Sequence, residues 1–206
     1  RWSVREPLAR LAYRHAYGVP RDLHAIARTR ILFGRALGYE PDLSHLDNGI
    51  KAPPPPGPIR AAPTAFLLHG TSREAKKWPV ANWIETAAAL AGQGLIPLTT
   101  WSSAAERETA ETIASAVPAT IVLPKSPLEA VAGEIGRASL VIGADTGLMH
   151  LASAFALPTV AVFVATKPGL TGPLGPRSIA LAPRDDDGVA VSRVLAAAAE
   201  MMAKGV

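Results

Sequence analysis

Residues 139–154 read SLVIGADTGLMHLASA, and this stretch decides the fold class. The apolar run at its start is typical of a buried strand, and the apolar residues at its end recur at helical spacing. Asp145, Thr146 and Gly147 stand between the two. In a parallel α/β sheet, ligands bind where a strand leads into a helix whose free N–H groups favour phosphate and hydroxyl oxygens. The turn therefore predicts recognition of a phosphorylated, hydroxyl-rich ligand.

Two other interpretations of this turn have to be weighed. Asp-Thr-Gly also occurs in aspartic proteases, but those need strands on both sides of the turn, and the helical spacing after Gly147 excludes them. The second alternative is that Asp145 only caps the helix, as aspartate often does at this position. The turn alone leaves capping and ligand binding open.

The composition is that of a globular protein, with 206 residues, 49% hydrophobic residues and 18% charged residues. The net charge of +4 comes from scattered residues and not from a basic helix with interleaved aromatics, so we expect no nucleic-acid partner. The absence of cysteine excludes disulfides and thiolate metal sites and favours a cytoplasmic location. The uncharged residues 146–166 contain Gly147 and Pro158, and their pattern changes from helical to β-rich, which predicts a helix and a buried strand instead of a membrane span.

The first 63 residues differ in character from the rest of the chain. Arg5–Tyr17 and Asp22–Leu37 have helical patterns, the second followed by Gly38 as a stop signal, and residues 53–58 read PPPPGP, which favours extended polyproline structure. No initiator methionine or signal peptide is present at the start, so we expect a segment of a longer protein. We predict that residues 1–39 are a helical remnant of a largely missing N-terminal domain and that residues 40–63 are an interdomain linker.

Residues 64–206 alternate strand-like and helix-like segments. The predicted strands are short, apolar and nearly continuous, at residues 65–69, 95–99, 119–123, 139–143, 159–164 and 178–181. Helical patterns lie between them, two of which begin with capping-box spacing, at Ser103 with Glu106 and at Ser126 with Glu129. This order predicts an α/β domain with a parallel, Rossmann-like sheet covered by helices on both faces. Neither a GxGxxG dinucleotide motif nor a P-loop is present.

Several strand-to-helix loops carry polar groups suited to a nucleotide. The first loop contains Thr71, Ser72 and Lys76, whose hydroxyls and charge suit a diphosphate, although a solvated capping loop has the same composition. In the second loop, Glu106 can accept the two ribose hydroxyls, and it is equally an ordinary capping-box glutamate. The third, residues 124–127, can offer backbone groups to an adenine edge. Because all these loops lie on one edge of the sheet, their joint interpretation is nucleotide binding.

Two of these loops resemble a known family. Residues 69–73 (HGTSR) with 76–79 (KKWP), and residues 145–154 (DTGLMHLASA), resemble the bacterial ADP-heptose lipopolysaccharide heptosyltransferases, which are GT-B enzymes of glycosyltransferase family nine. Residues 5–9 (REPLA), 22–30 (DLHAIARTR) and 37–39 (LGY) resemble the members that act on Kdo. Residues 165–172 (ATKPGLTG) resemble the family's Thr-Asp-Pro-Gly-Leu loop, with Lys167 in place of the aspartate.

The resemblance implies a donor-binding C-terminal domain of GT-B type. It directs Thr71, Ser72 and Lys76 toward the diphosphate, Glu106 toward the ribose, and the group Asp145, Thr146 and Gly147 toward the sugar and phosphate end. His150 lies one helical turn further and touches the donor or, as the favoured alternative, is a packed helix histidine. No metal or other cofactor is expected, because cationic side chains can neutralise the diphosphate of ADP-heptose.

The implied reaction is inverting transfer of L-glycero-D-manno-heptose from ADP-heptose to Kdo of the lipid A inner core, at the cytoplasmic face of the inner membrane of a Gram-negative bacterium. The family's general base is an aspartate near the start of the N-terminal domain, which this chain lacks, so we expect the chain alone to bind donor and to be inactive. Two alternatives remain open: a family member with a different acceptor, such as an already heptosylated core, and a non-catalytic nucleotide-binding module.

Overall fold

A computed structural model of the protein describes residues 12–44, 49–57, 60–71, 73–165, 167–184 and 188–204. Within these ranges the helices are α1 (Ala25–Leu37), α2 (Val80–Gly92), α3 (Ala104–Ala116), α4 (Leu128–Gly136), α5 (Gly147–Ala154) and α6 (Val191–Ala203). The strands are β1 (Thr64–Leu68), β2 (Ile96–Thr99), β3 (Ile121–Val122), β4 (Leu140–Ala144), β5 (Thr159–Val162) and β6 (Ser178–Leu181). Two short 3-10 turns lie at Glu74–Lys76 and Pro168–Leu170.

The six strands form one parallel sheet in the order β3-β2-β1-β4-β5-β6. Every residue of β1, β4 and β5 is buried, as the uninterrupted apolar runs require of strands covered on both faces. β2 pairs with one edge of β1, and β4 pairs with the other edge. The strand order therefore reverses between β1 and β4. The predicted Rossmann-like α/β fold is confirmed.

Alternate side chains of β1 enter two separate cores. Ala65 and Leu67 join a cluster with residues of α2, α3 and α6, whereas Phe66 and Leu68 join a cluster with residues of α4 and α5. The first cluster contains Trp78 and Trp83, whose rings meet edge to face with centroids 5.0 Å apart. The turn after β1 is therefore anchored by a buried tryptophan at its end.

The chain divides into two compact units, residues 1–46 with 169–171, and residues 47–168 with 172–206. The first unit contains α1, which starts at Ala25 and not at the predicted Asp22, because the His24 side chain accepts a hydrogen bond from the Ile26 N–H and caps the helix there. Gly38 ends the helix as predicted, with a left-handed φ of 76° and its N–H donating to the Gly34 carbonyl at 2.8 Å.

The predicted helix Arg5–Tyr17 is wrong where it can be compared with the structure. Residues 1–11 lie outside the described ranges, and residues 13–17 form no helix. Tyr13 is 57% exposed, so its ring gains little from burial. A short helical pattern without a packed apolar face is marginal in water, which explains the failure.

The proline-rich segment packs against α4 within the second unit. A Cβ built on Gly133 would lie 2.7 Å from the Pro54 carbonyl oxygen, and one on Gly136 would overlap the Ala52 Cβ, so both glycines permit the close approach. The Arg137 guanidinium donates to the Gly57 carbonyl at 3.0 Å. Residues 52–57 therefore follow the surface of the sheet domain, and their role as an interdomain linker stays a prediction.

An ion-pair triad secures this attachment. The buried carboxylate of Glu134 pairs with Arg60 at 2.7 Å and with Arg137 at 2.5 Å. Burial would raise the pKa of Glu134, but the hydrogen bonds and charges of the two arginines outweigh burial and lower it. Glu134 is consequently a buried carboxylate that stays ionised.

The two capping boxes predicted from sequence have different outcomes. At α3 the box is complete, with Ser103 and Glu106 in the expected exchange. At α4 the N-cap is Pro127, and the Ser126 hydroxyl donates instead to the Pro124 carbonyl at 2.9 Å. The proline lies between the serine and the helix in an extended conformation, so the serine side chain does not face the first helical N–H groups.

Candidate functional site

The strand-to-helix loops meet at the carboxyl edge of the sheet and surround a cavity of about 820 Å³. The cavity lies where the strand order reverses between β1 and β4, the usual ligand site of such sheets. Its lining contains seven of the eight site residues predicted from sequence: Thr71, Lys76, Glu106, Asp145, Thr146, Gly147 and His150. The eighth, Ser72, lies outside the described residues. The structure thus brings the described candidates together, while their roles toward a ligand stay predictions.

The strand-to-helix loop after β1 forms the first corner of the cavity. The 3-10 turn Glu74–Lys76 brings Lys76 to the cavity, where its side chain is 20% exposed. The hydroxyl oxygen of Thr71 is buried and makes no hydrogen bond to any described residue. A polar atom of this kind at a cavity wall is available to a ligand, because burying it without any partner is costly.

Glu106 occupies the second corner and also completes the capping box of α3. Its Oε2 accepts hydrogen bonds from the Ser102 N–H at 2.7 Å, the Ser102 hydroxyl at 2.7 Å and the Ser103 N–H at 3.3 Å. Burial would raise the pKa of Glu106, but the hydrogen bonds from Ser102 and Ser103 outweigh burial and lower it. A charged, fixed carboxylate therefore faces the cavity, and both alternatives for Glu106 are compatible with this geometry.

Gly70 is the residue that lets Glu106 take this position. A Cβ at Gly70 would lie 2.7 Å from Oε1 and 2.9 Å from Cδ of Glu106. The backbone at Gly70 thus closely approaches the carboxylate of Glu106. Sequence alone could not pair two residues that follow different strands of the sheet.

The third corner follows β4. The N-cap of α5 is Thr146 and not Asp145. The Asp145 carboxylate accepts a hydrogen bond from the Lys76 ammonium at 2.5 Å. The Thr146 hydroxyl is buried, makes no hydrogen bond to a described residue and belongs to the cavity lining.

His150 differs from the favoured sequence interpretation. The sequence favours a packed helix histidine, whereas the structure leaves His150 exposed in the cavity lining. The neighbouring Met149 is the buried residue of that turn, packed so closely that a Cβ on Gly143 would overlap its sulfur. The face of α5 directed at the sheet thus belongs to Met149, which leaves His150 on the cavity side.

Some lining residues were not singled out from the sequence. Trp101 lies at the cavity wall, with Arg107 and Lys125 placed 5.3 Å and 5.8 Å from its ring centroid. Leu128 and Val131 of α4 add apolar surface beside it. The only available signal was an aromatic residue in the loop after β2, and loop composition does not reveal which way such a ring points.

His69 lies beneath this edge at the end of β1, almost completely buried. Its Nε2 atom makes no hydrogen bond to a described residue. Burial is the main cause that lowers the pKa of His69, against the opposing influence of the Glu106 carboxylate and the Thr100 backbone. Burial therefore favours the neutral form of this imidazole.

The described residues contain no group of three His, Cys, Asp or Glu side chains that could hold a metal ion. None of the described helices combines the length and the apolarity needed to cross a bilayer.

A parallel sheet with a cavity at its reversal point is typical of α/β proteins that bind nucleotides. Comparison with known families identifies the class more closely. Residues 1–188 match the family model described as glycosyltransferase family 9 (heptosyltransferase). The chain belongs to this family, which confirms the resemblance seen in the sequence.

Among its relatives, lipopolysaccharide heptosyltransferase 1 of Pseudomonas aeruginosa is 40% identical over 173 residues, which are 84% of this chain and 49% of that protein. The enzyme of the same name from Escherichia coli K12 is 36% identical over 186 residues, 89% of this chain and 58% of that protein. The chain therefore spans about half of the length of these relatives.

Solved structures give the same family relation. The structure described as E. coli heptosyltransferase WaaC with ADP superposes with a TM-score of 0.83 at 32% identity, covering 97% of this chain and 63% of that one. The structure of WaaC with ADP-2-deoxy-2-fluoro heptose gives a TM-score of 0.77 at 31% identity, covering 95% and 62%.

Proposed function

We propose that this chain is the donor-binding part of an inverting glycosyltransferase that transfers L-glycero-D-manno-heptose from ADP-heptose to Kdo of the lipid A inner core in lipopolysaccharide biosynthesis. The observation that carries the proposal is the convergence of seven predicted residues on one cavity at the reversal point of the sheet. Support comes from the relatives, which are lipopolysaccharide heptosyltransferase 1 proteins, and from the solved WaaC structures with ADP and with a fluorinated ADP-heptose.

Each group at the cavity has a role in this proposal. Lys76 and the hydroxyl of Thr71 bind the diphosphate, and the carboxylate of Glu106 accepts the ribose hydroxyls. Asp145, Thr146 and the backbone at Gly147 hold the sugar and its adjoining phosphate at the start of α5, where free N–H groups favour oxygen anions. His150 contacts the donor from the next turn of the helix. The cationic lysine neutralises the diphosphate, so the proposal requires no metal.

The reaction places specific demands on these residues. The acceptor hydroxyl attacks the anomeric carbon from the face opposite the diphosphate, the bond between that carbon and the phosphate oxygen breaks, and ADP leaves with the electron pair. Positive charge at the diphosphate stabilises the leaving group as negative charge develops there. The general base that takes the acceptor proton and the acceptor site belong, in this proposal, to a preceding domain of the whole protein. The present chain then binds donor but does not transfer heptose efficiently.

A related candidate function keeps the donor and changes the acceptor to an already heptosylated core or another sugar. The relatives at 36–40% identity favour Kdo. We place the whole protein at the cytoplasmic face of the inner membrane, in peripheral association, because its proposed acceptor is a lipid. Transfer assays with the full-length protein, Kdo-lipid A and a heptosylated core distinguish the acceptors.

Calorimetric titration of the chain with ADP tests the donor site. We expect Lys76→Met to weaken ADP binding by about 10- to 100-fold, since a charge-assisted hydrogen bond contributes about 1.5–3 kcal/mol. Lys77→Met is the matched control, because Lys77 pairs with Glu74 at the surface and is not part of the lining of the large cavity. Equal affinities in the wild type and Lys76→Met would remove Lys76 from the site, and no binding of ADP or ADP-heptose by the wild type would refute the donor site itself.

A further inference from the structure

The ion pair between Lys76 and Asp145 joins the two corners on either side of the reversal point. Lys76 follows β1, Asp145 follows the neighbouring strand β4, and their charged atoms are 2.5 Å apart. Both side chains are largely buried, with 20% and 14% exposure. The lysine of the cavity lining is therefore engaged by a carboxylate in this structure.

This arrangement creates a competition when a diphosphate enters the cavity. The phosphate oxygens and the Asp145 carboxylate are both anionic acceptors for the same ammonium group. An ammonium that turns toward the diphosphate leaves a carboxylate close to other negative charge, in surroundings that screen charge poorly. A hydroxyl donor near Asp145 would compensate for this loss, and a nucleotide alone would not provide one.

We infer that the Lys76–Asp145 pair is an exchangeable latch that distinguishes the sugar donor from the free nucleotide. The diphosphate takes the ammonium of Lys76, and the released carboxylate of Asp145 accepts hydrogen bonds from hydroxyls of the transferred sugar. This inference rests on the proposed function, because it assumes that a nucleotide sugar occupies the cavity. After transfer the sugar hydroxyls are gone, the carboxylate again competes for Lys76, and release of the nucleoside diphosphate is favoured.

The latch predicts opposite responses to ADP and to ADP-heptose in one variant. In Asp145→Asn the competitor for Lys76 is removed, so we expect calorimetry to show ADP binding about fivefold tighter, the effect of a partly exposed ion pair. Binding of ADP-heptose does not improve, because the neutral amide is a poorer acceptor for the sugar hydroxyls. The preference for ADP-heptose over ADP therefore falls at least fivefold.

Glu74→Gln provides the matched control, since it removes one carboxylate from the neighbouring, exposed Lys77–Glu74 pair. We expect it to leave both affinities unchanged. Unchanged or weaker ADP binding in Asp145→Asn would overturn the latch, and so would an equal gain for ADP and ADP-heptose.

A crystal structure of the wild-type chain with ADP separates exchange from simple repulsion between anions. We expect the Lys76 ammonium to contact a phosphate oxygen and to lie beyond hydrogen-bond distance from Asp145. A Lys76–Asp145 pair that persists beside bound ADP would refute the exchange while leaving the donor site intact. A wild-type chain that binds neither ADP nor ADP-heptose would refute the proposed function and this inference with it.

Discussion

At the residue scale, the two carboxylate oxygens of Glu106 have different surroundings. The capping interactions occupy Oε2, which accepts the hydrogen bonds from Ser102 and Ser103. The other oxygen, Oε1, lies against Gly70 beside the cavity. In the proposed role of Glu106, the cap fixes the carboxylate in advance and so lowers the entropic cost of binding a ribose.

Gly70→Ala tests this positioning of the carboxylate. A Cβ 2.7 Å from Oε1 cannot be accommodated by a small rotation, because three hydrogen bonds hold the glutamate in place. We expect a loss of about 1 kcal/mol in the free energy of unfolding from the disturbed cap. Affinity for ADP, measured by calorimetry, should fall about tenfold, the effect of one lost hydrogen bond to a charged group.

Gly92→Ala provides a control for this experiment, because a Cβ there has no neighbouring atom within 4 Å. Binding of 2′-deoxy-ADP gives a second comparison. If Glu106 binds the ribose hydroxyls, Gly70→Ala weakens 2′-deoxy-ADP less than ADP. Equal weakening of both nucleotides would contradict this role of Glu106.

The sequence predicted which residues meet at the site but not how they pair. Parallel strands end on one edge, so the positions of Thr71, Glu106 and Asp145 followed from the alternation of elements. The Lys76–Asp145 pair joins residues 69 positions apart, and it depends on the pairing of β1 with β4, which no local pattern specifies. The exposure of His150 likewise depends on which face of α5 packs on the sheet.

At the element scale, local signals worked where the helix started directly after its cap. Ser103 and Glu106 begin α3 as predicted, and Gly38 ends α1. The same spacing did not produce a capping box at Ser126, because Pro127 separates the serine from the helix. The predicted helix Arg5–Tyr17 was wrong because its described end has no packed apolar face. Strand cores were easier to predict than ends, since burial on both faces leaves a continuous apolar run.

The start of α5 offers a test in which binding and stability separate. A Cβ on Gly147 would meet no atom within 4 Å, and its position belongs to the cavity lining. Gly147→Ala should therefore keep or raise the free energy of unfolding, by at most about 1 kcal/mol, because alanine favours helix. Affinity for ADP-heptose should fall at least tenfold in calorimetric titration if the backbone there contacts the donor. Wild-type affinity in this variant would show that the donor does not approach Gly147.

At the scale of the whole molecule, three buried or partly buried ionisable groups respond to acid in the same sense. Burial lowers the pKa of His69, and hydrogen bonds lower the pKa values of Glu106 and Glu134 in spite of burial. For each group the folded state binds protons less readily than the unfolded chain does. Stability therefore rises with pH wherever one of these groups titrates.

This linkage predicts that the free energy of unfolding falls in two stages as the pH is lowered. As the pH falls below 6.5, the ordinary pKa of histidine, the unfolded chain gains a proton that buried His69 does not take up, and the free energy of unfolding falls. Below 4.5, the ordinary pKa of glutamate, the contributions of Glu106 and Glu134 are lost as the pH passes their lowered folded values. Urea unfolding at pH 7.5, 5.5 and 4.0 measures both stages. His69→Gln should flatten the first stage, and Glu134→Gln should flatten the second. His15→Gln is the control, because His15 is exposed. A first stage that persists unchanged in His69→Gln would contradict the assignment to His69.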